Sequence, residues 1–167
     1  GSYPPVLLRE YYDRLPNAER LMAESEQHLR EGLLAFLTEP IFVPFREAGM
    51  RSNALIEQHL RLPGFPCKVD GRLDLAYPEV EGVTIVDWKS GVNDGDGTDS
   101  LQLAAYALWA KARYQVSPDA IHIYKAFLRG AEVVAFPLTE PLLDHARVRI
   151  IQDAERMAQV QHYGECG

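Results

Sequence analysis

Cysteine and long hydrophobic runs are the features that this 167-residue sequence has least of. Its two cysteines, Cys67 and Cys166, cannot build a disulfide framework, which fits a reducing compartment and predicts a cytoplasmic location. No apolar run approaches the roughly 20 residues that a membrane-spanning helix needs, and no signal-peptide pattern opens the chain. We therefore expect a protein that has no membrane partner.

Positive charge is also scarce, since 17 lysines and arginines stand against 24 aspartates and glutamates and leave a net charge of -7. Non-specific binding to DNA depends on neutralising phosphates with lysine and arginine, so this balance argues against a strong non-specific grip on DNA. Metal sites collect acidic residues, however, and DNA contacts can form a local strip or belong to a partner domain. The acidity therefore leaves enzymes that act on DNA open.

The rest of the composition is typical of one globular domain, with 47% apolar and 25% charged residues and no internal repeat, low-complexity tract or linker. Gly1 and Ser2 replace an initiator Met and are typical of the remnant of a cleaved tag, which favours an excised domain over a whole protein. Within this single domain, 1–167, we expect an N-terminal helical part at 3–53, a core at 54–138 and a C-terminal helix at 139–167.

Hydrophobic periodicity predicts a mixed α/β fold in the order α-βββ-α-ββ-α, with a small mixed sheet flanked by helices. Strands are predicted at 54–62, 69–77, 84–89, 120–128 and 131–136, and helices at 3–15, 18–37, 100–114 and from 139 onward. Helix 18–37 is amphipathic, with Leu29, Leu33 and Leu37 near one apolar stripe. Pro40 and Pro44 interrupt the pattern that follows it.

Side-chain alternation predicts which residues share a face of the sheet, because successive side chains on a strand point to opposite sides. It places Asp74 with Ala76 on one face, and Leu73 with Leu75 on the other. The short connection at 78–82 makes the strands on either side of it antiparallel neighbours.

Asp74 and Asp87 can then meet near the ends of adjacent strands, with Lys89 two residues beyond Asp87. Carboxylate oxygens hold Mg²⁺ or Mn²⁺, and a lysine can orient or polarise an attacking water and offset phosphate charge. Two carboxylates and an ammonium group at one point are what metal-dependent phosphodiester hydrolysis needs. An acid at a strand end can also simply belong to a turn, although aspartate is disfavoured inside strands.

These residues carry a family resemblance. Asp74, followed by Asp87-Trp88-Lys89, resembles the PD-(D/E)xK nuclease signature. Gly71-Arg72-Leu73-Asp74 before it, Ser90-Gly91 after it and Gln102-x-x-x-Tyr106 on the next helix resemble the RecB-type branch. That branch includes the nuclease domains of bacterial recombination helicase-nucleases and the CRISPR-associated exonucleases. A D-x-K triplet alone occurs by chance in many proteins, whereas the ordered set, which covers roughly 55–110, is specific.

The resemblance implies a restriction-endonuclease-like core and a DNA nuclease that depends on Mg²⁺ or Mn²⁺. It favours an exonuclease over an endonuclease, acting in recombination, repair or defence on single-stranded DNA or duplex ends. It also implies a helicase domain or subunit as partner. The alternative from another class is a catalytically silent module that uses the same fold to hold DNA or a helicase. An RNA-processing or restriction-type endonuclease would share the chemistry but act on a different substrate.

The resemblance also assigns roles at the centre of the site. Asp74 and Asp87 bind the metal, and Lys89 positions the water. RecB-type domains often carry a metal-binding glutamate on the preceding strand, which corresponds to Glu57 here, and the residue at the place of Trp88 commonly lends its backbone carbonyl to the metal. A solvent-facing Glu57 and a core Trp88 are the simpler alternatives.

Three further residues, Gln102, Tyr106 and Arg72, are candidates for binding the substrate. Gln102 and Tyr106 lie one turn apart on one helix face. The resemblance implies that they contact a substrate phosphate or support Lys89, and the alternative is a polar pair at the edge of the sheet. Arg72 shares a predicted face with Asp74 and either contacts DNA or pairs with an acid.

The histidine and cysteine residues agree less well with the RecB-type pattern. RecB-type nucleases carry a metal-binding histidine on an N-terminal helix, but the segment Ser25-Glu-Gln-His-Leu-Arg-Glu31 lacks the glycine of that pattern. His28 is therefore equally well explained as a solvated surface residue. In related iron-sulfur nucleases one cysteine precedes the core and three follow it. Cys67 lies inside the core and Cys166 stands alone near the end, so the sequence predicts no iron-sulfur cluster.

Overall fold

The computed structural model describes residues 18–93, 95 and 100–164, with side chains described up to 159. The predicted helix at 3–15 and Cys166 lie outside this part of the chain. The helices are α1 Ala18–Thr38, α2 Val43–Gly49, α3 Ser100–Tyr114 and α4 Glu140–Gly164. The strands are β1 Leu55–Arg61, β2 Asp70–Pro78, β3 Val83–Lys89, β4 Ile121–Phe127 and β5 Glu132–Ala135. None of the described helices is long and apolar enough to cross a membrane.

The strands form one five-stranded sheet in the order β1-β2-β3-β4-β5. All neighbouring strands are antiparallel except β3 and β4, which are parallel. Parallel neighbours need a crossover connection, and α3 supplies it. The predicted mixed sheet flanked by helices is therefore confirmed, and the architecture is that of a restriction-endonuclease-like core.

Helix α2 is an element that the sequence pattern does not predict, because Pro40 and Pro44 interrupt the periodicity there. Pro40 begins a short 3₁₀ turn, and Pro44 lies in the first turn of α2. Proline is tolerated at these places because the first amides of a helix have no intrahelical acceptor. Buried Phe42 and Phe45 from this segment pack beneath the sheet, so the observed order is α-α-βββ-α-ββ-α.

The apolar stripe of α1 is exposed, which amphipathic packing does not predict. Leu29, Leu33 and Leu37 are each more than half exposed, and the buried residues of α1 are Ala18 and Gly32. A Cβ at Gly32 would lie 3.4 Å from the Cβ of Leu128. The helix thus approaches the end of β4 through a residue without a side chain, and most of its leucine stripe remains in solvent.

Two hydrophobic cores lie on opposite faces of the sheet. The larger one joins the sheet to α3 and α4 and contains Ile85, Ile123, Leu103 and Leu143. The smaller one lies under α2 and contains Phe42, Phe45, Leu75, Val86 and Ala126. Because β3 contributes alternate residues to both cores, it is the central strand of the fold, and its last residues reach the candidate site.

The regular alternation of side chains between the two faces of the sheet fails at one row of β1 and β2. Leu73 and Ala76 both pack in the larger core although an odd number of positions separates them, whereas Leu75 packs in the smaller core. The register on both sides of the break places Glu57 opposite Asp74, and Glu57 has a left-handed φ of 51°. A left-handed residue interrupts the pleat on which alternation depends. The predicted sharing of a face by Leu73 and Leu75 is therefore wrong.

Candidate active site

Three acidic residues occupy one row across the sheet. The pairing of Leu75 with Val86, continued by one position, places Asp74 opposite Asp87, and Glu57 lies opposite Asp74 on the other side. Directly opposite residues of antiparallel strands have Cβ atoms about 4.5–5.5 Å apart. One position beyond the paired residues, this register places Asp74 and Asp87 at the same end of the adjacent strands, where the sequence predicts that they meet.

Asp74 is held by the main chain of β3. The amide of Trp88 donates a hydrogen bond of 2.8 Å to its Oδ2. Burial raises the pKa of Asp74 and the charge of Glu57 raises it further, while the Trp88 amide, Lys89 and Arg72 act in the opposite direction. The ionised form of Asp74 is therefore disfavoured in the folded chain, and a neighbouring cation would relieve that cost.

Asp87 and Lys89 form an ion pair at the end of β3. Lys89 Nζ lies 2.9 Å from Asp87 Oδ2, with the Asp87 side chain 3% exposed and the Lys89 side chain 25% exposed. Residues two apart on a strand point to the same face, so the D-x-K spacing itself directs the ammonium toward the acid. A carboxylate this deeply buried requires compensating partners, and Lys89 is one of them.

Glu57 is engaged by Arg72. Arg72 Nη2 lies 2.6 Å from Glu57 Oε2, and both side chains are more than half exposed. Of the two predicted roles for Arg72, pairing with an acid is the one that this structure contains. An exposed ion pair contributes only about 0–1 kcal/mol, so Glu57 can exchange this partner at little cost.

Gln102 and Tyr106 connect α3 to β2. Gln102 Nε2 donates to the Tyr106 hydroxyl at 2.6 Å, and that hydroxyl donates to the backbone carbonyl of Arg72 at 2.6 Å. Burial raises the pKa of Tyr106; the Gln102 hydrogen bond opposes this, and the charges of Asp87 and Asp74 reinforce it. The pair therefore supports the strand that carries Asp74, while contact with a substrate phosphate remains a prediction.

The Trp88 side chain packs against the smaller core, and His28 lies on the surface of α1. Among residues 18–93, 95 and 100–164 there is no group of three or more His, Cys, Asp or Glu side chains that could hold a metal, so neither His28 nor Glu57 forms such a group with Asp74 and Asp87 in this structure. The Trp88 ring packs edge-on against Phe36 and Phe42, with centroids 5.2 and 5.7 Å apart. Metal binding by the Trp88 carbonyl stays a prediction.

Lys125 is a site neighbour that sequence reasoning missed. It is the β4 partner of Asp87 in the parallel ladder, and it is partly buried, with its Nζ 5.7 Å from the ring centroid of Phe127. Aligned residues of parallel strands point to the same face, so Lys125 adds a second cation beside Asp87. The signal available in the sequence was a lysine within a strand whose other residues, apart from His122, are apolar or aromatic.

The donor set of the site fits a hard divalent cation. Asp74 and Asp87 offer carboxylate oxygens, which are the ligands that Mg²⁺ and Mn²⁺ prefer. The raised pKa of Asp74 reflects burial and the repulsion of Glu57, both of which a bound cation would offset. Glu57 becomes a third ligand only if it leaves Arg72.

A family model described as the PD-(D/E)XK nuclease superfamily matches residues 5–167, which include Asp74, Asp87 and Lys89. No curated protein matches the chain.

Proposed function

The chain belongs to the PD-(D/E)XK nuclease superfamily, and we propose on that basis that it hydrolyses phosphodiester bonds of DNA with a divalent cation held by Asp74 and Asp87. One observation carries the proposal. The register of β2 and β3 leads the two carboxylates to the same end of the adjacent strands, and the Lys89 ammonium is 2.9 Å from Asp87. This is the arrangement of charges that cleavage of a phosphodiester requires.

Each residue has a distinct role in the proposed reaction. Asp74 and Asp87 supply hard oxygen ligands, and the Trp88 amide keeps the Asp74 carboxylate oriented. A divalent cation bound there would lower the pKa of the attacking water and stabilise charge on the phosphate. Lys89 orients that water and offsets the charge that develops in the transition state.

The finer assignment rests on the sequence resemblance. We infer a RecB-type enzyme that uses Mg²⁺ or Mn²⁺ and acts as an exonuclease in recombination, repair or defence. Single-stranded DNA or duplex ends would be its substrates, a helicase domain or subunit its partner, and the cytoplasm its location. Gln102 and Tyr106 support this assignment because they occupy the helix after the D-x-K strand and connect to β2.

A catalytically silent module is the second candidate. It is favoured by the exposed position of His28, by the Arg72 partner of Glu57 and by the net charge of -7. Such a module would hold nucleic acid or a helicase without cutting DNA.

Metal-dependent cleavage distinguishes the two candidates. End-labelled single-stranded and duplex DNA would be incubated with the wild type in Mg²⁺, Mn²⁺ or EDTA. The Asp87→Asn variant, which keeps the size of the side chain, should cleave at least about a hundredfold more slowly. Asp144→Asn, an exposed aspartate on α4, is the matched control and should cleave like wild type.

Calorimetry with Mn²⁺ tests the metal site directly. Binding should be present in the wild type and in Asp144→Asn, and lost in the double variant Asp74→Asn, Asp87→Asn. A wild type that cuts neither DNA with either metal would refute the nuclease and favour the silent module. Equal Mn²⁺ binding by wild type and double variant would refute the site.

A further inference from the structure

An apolar cavity of about 410 Å³ opens beside the candidate catalytic carboxylates. Glu57 and Asp74 form part of its lining, and Phe36, Met50, Ile56 and Trp88 form much of the rest. Its lining brings an aromatic surface next to Asp74, one of the two candidate metal ligands, whereas Asp87 and Lys89 are not part of that lining. Hydrolysis itself needs only charged and polar groups there, so the reaction leaves this surface unexplained.

We propose that this cavity receives one unpaired nucleobase of a single-stranded nucleic acid, next to the phosphate that the carboxylates address. The proposal rests on the proposed function and specifies its substrate. A base and its flanking phosphate belong to the same nucleotide. A phosphate at Asp74 therefore places an adjoining base within reach of a cavity that Asp74 itself lines.

The size and the chemistry of the cavity suit a base. Ligand pockets in proteins span about 300–1,000 Å³, and this cavity lies in the lower part of that range. Every nucleobase has a π face, and stacking on an aromatic side chain contributes about fivefold to a hundredfold in affinity per base without requiring a particular sequence. Phe36 and Trp88 are only partly buried, so ring surface is accessible to such a partner.

The mouth of the cavity is apolar and exposed. Met50 is 79% exposed and Ile56 59% exposed, although both are large hydrophobic residues. Apolar groups that border a concave site are typical of ligand contact, because their exposure has a cost in the free protein that a bound ligand removes. Both residues stand at the rim, where they can flank an entering base.

A fixed cation borders the same cavity. The Arg46 guanidinium donates to the backbone carbonyl of Phe36 and, at 3.2 Å, to that of Glu39, and its Cζ lies 5.9 Å from the Phe36 ring centroid. It therefore provides positive charge beside the aromatic wall, where the phosphates flanking a stacked base would pass. Arg46 thus supplies one local positive charge in a chain of net charge -7, and stacking on the aromatic wall would supply affinity beside it.

A cavity that receives an unpaired base favours single strands over duplex. In a duplex each base is paired and stacked on its neighbours, so it can enter the cavity only after unpairing, which has a free-energy cost. Single strands and frayed ends present bases without that cost. We therefore expect tighter binding of single strands than of blunt duplex.

The test measures binding rather than cleavage. Fluorescence anisotropy would follow a labelled oligothymidylate, a strand of the same length built from abasic sugars, and a blunt duplex, all with Ca²⁺ in place of Mg²⁺. The pocket variant is Met50→Ala combined with Ile56→Ser. The control is Met157→Ala combined with Val148→Ser, which alters residues on α4 outside the cavity that are 69% and 50% exposed.

Wild type and control should bind the oligothymidylate about tenfold more tightly than the abasic strand. The pocket variant should lose most of that preference and bind the abasic strand as wild type does. A wild type that cleaves DNA but binds both strands equally would overturn the base site while the nuclease stands. A wild type that neither binds nor cleaves would overturn both. A pocket variant that changes only self-association, seen by ultracentrifugation, would assign the cavity to a second copy of the chain and overturn the proposal.

Discussion

The amide of Trp88 donates a hydrogen bond of 2.8 Å to Asp74, so the middle residue of the D-x-K triplet holds the acid of the neighbouring strand. The two parts of the signature are 14 residues apart in the chain and are joined through this main-chain contact. Any side chain at Asp74 that accepts a hydrogen bond can keep the contact. Charge and geometry at this position can therefore be separated by mutation.

Asp74→Asn should raise the free energy of unfolding at neutral pH in EDTA, because the asparagine oxygen keeps the Trp88 contact without the disfavoured charge. The pKa of Asp74 is raised by burial, so its ionised form destabilises the fold at pH values above that pKa. The penalty is absent below the ordinary pKa of an unfolded aspartate, about 4. Urea unfolding across this range should show a gain in stability that vanishes on acidification.

Asp70→Asn, on the same strand, is the control, and its effect on stability should have the opposite sign to that of Asp74→Asn. Hydrogen bonds from Arg61 and then Lys68 lower the pKa of Asp70 from 3.8 to about 2. Its charge therefore stabilises the fold above the unfolded pKa, and this contribution is lost as the pH falls toward about 2. The variant should be less stable than wild type at neutral pH. If both variants shifted in the same direction, the electrostatic account of Asp74 would be wrong.

Lys89→Ala should cleave DNA at least about a hundredfold more slowly than wild type, since one preorganised contact to developing charge is removed. The loss should lie in kcat more than in KM, because the contact strengthens in the transition state. The control is Lys111→Ala. Lys111 lies on α3 and pairs with Glu140 of α4, and this variant should cleave normally. Circular dichroism would establish that both variants are folded. Cleavage by Lys89→Ala at the wild-type rate would disprove this role.

Tyr106→Phe should lower the free energy of unfolding by about 1–3 kcal/mol, because the Arg72 carbonyl loses its donor. Gln102→Ala removes only the hydrogen bond to the hydroxyl and should have a smaller effect, about 0.5–1.5 kcal/mol. Urea denaturation measures both. Unchanged stability with a large fall in cleavage would instead favour direct contact between Tyr106 and the substrate.

Glu57→Gly should be more stable than Glu57→Ala by about 1 kcal/mol, because a left-handed φ of 51° has a steric cost for any residue with a Cβ. Both variants lack the carboxylate, so their difference isolates the backbone strain. Ala131→Gly, at a φ of 47° in the turn after β4, should likewise exceed wild type in stability. Equal stability of the two Glu57 variants would show that the backbone at position 57 is not strained.

Much of the site was predictable because it depends on local spacing. Asp87 and Lys89 share a strand face by alternation alone, and the short connection between β2 and β3 requires antiparallel pairing. The order of the strands, and of the described helices other than α2, followed from hydrophobic periodicity in the same way. Such features need only the geometry of one strand and its next neighbour in the chain.

Other features depend on contacts between distant segments, and only the tertiary structure decided them. Helix α1 meets the end of β4 through Gly32, beside Leu128 nearly a hundred residues away in the sequence, and its leucine stripe is exposed. Lys125 is the neighbour of Asp87 because the crossover through α3 sets the register of β4.

At the row of Glu57 and Asp74 the side chains likewise depart from regular alternation between the two faces. The left-handed φ of Glu57 on β1 lies opposite this break on β2. The sequence by itself determined the chemical groups of the site and their order along the strands. Long-range packing and register then decided which neighbours surround those groups, because the free energy of these contacts depends on segments that periodicity within one strand does not describe.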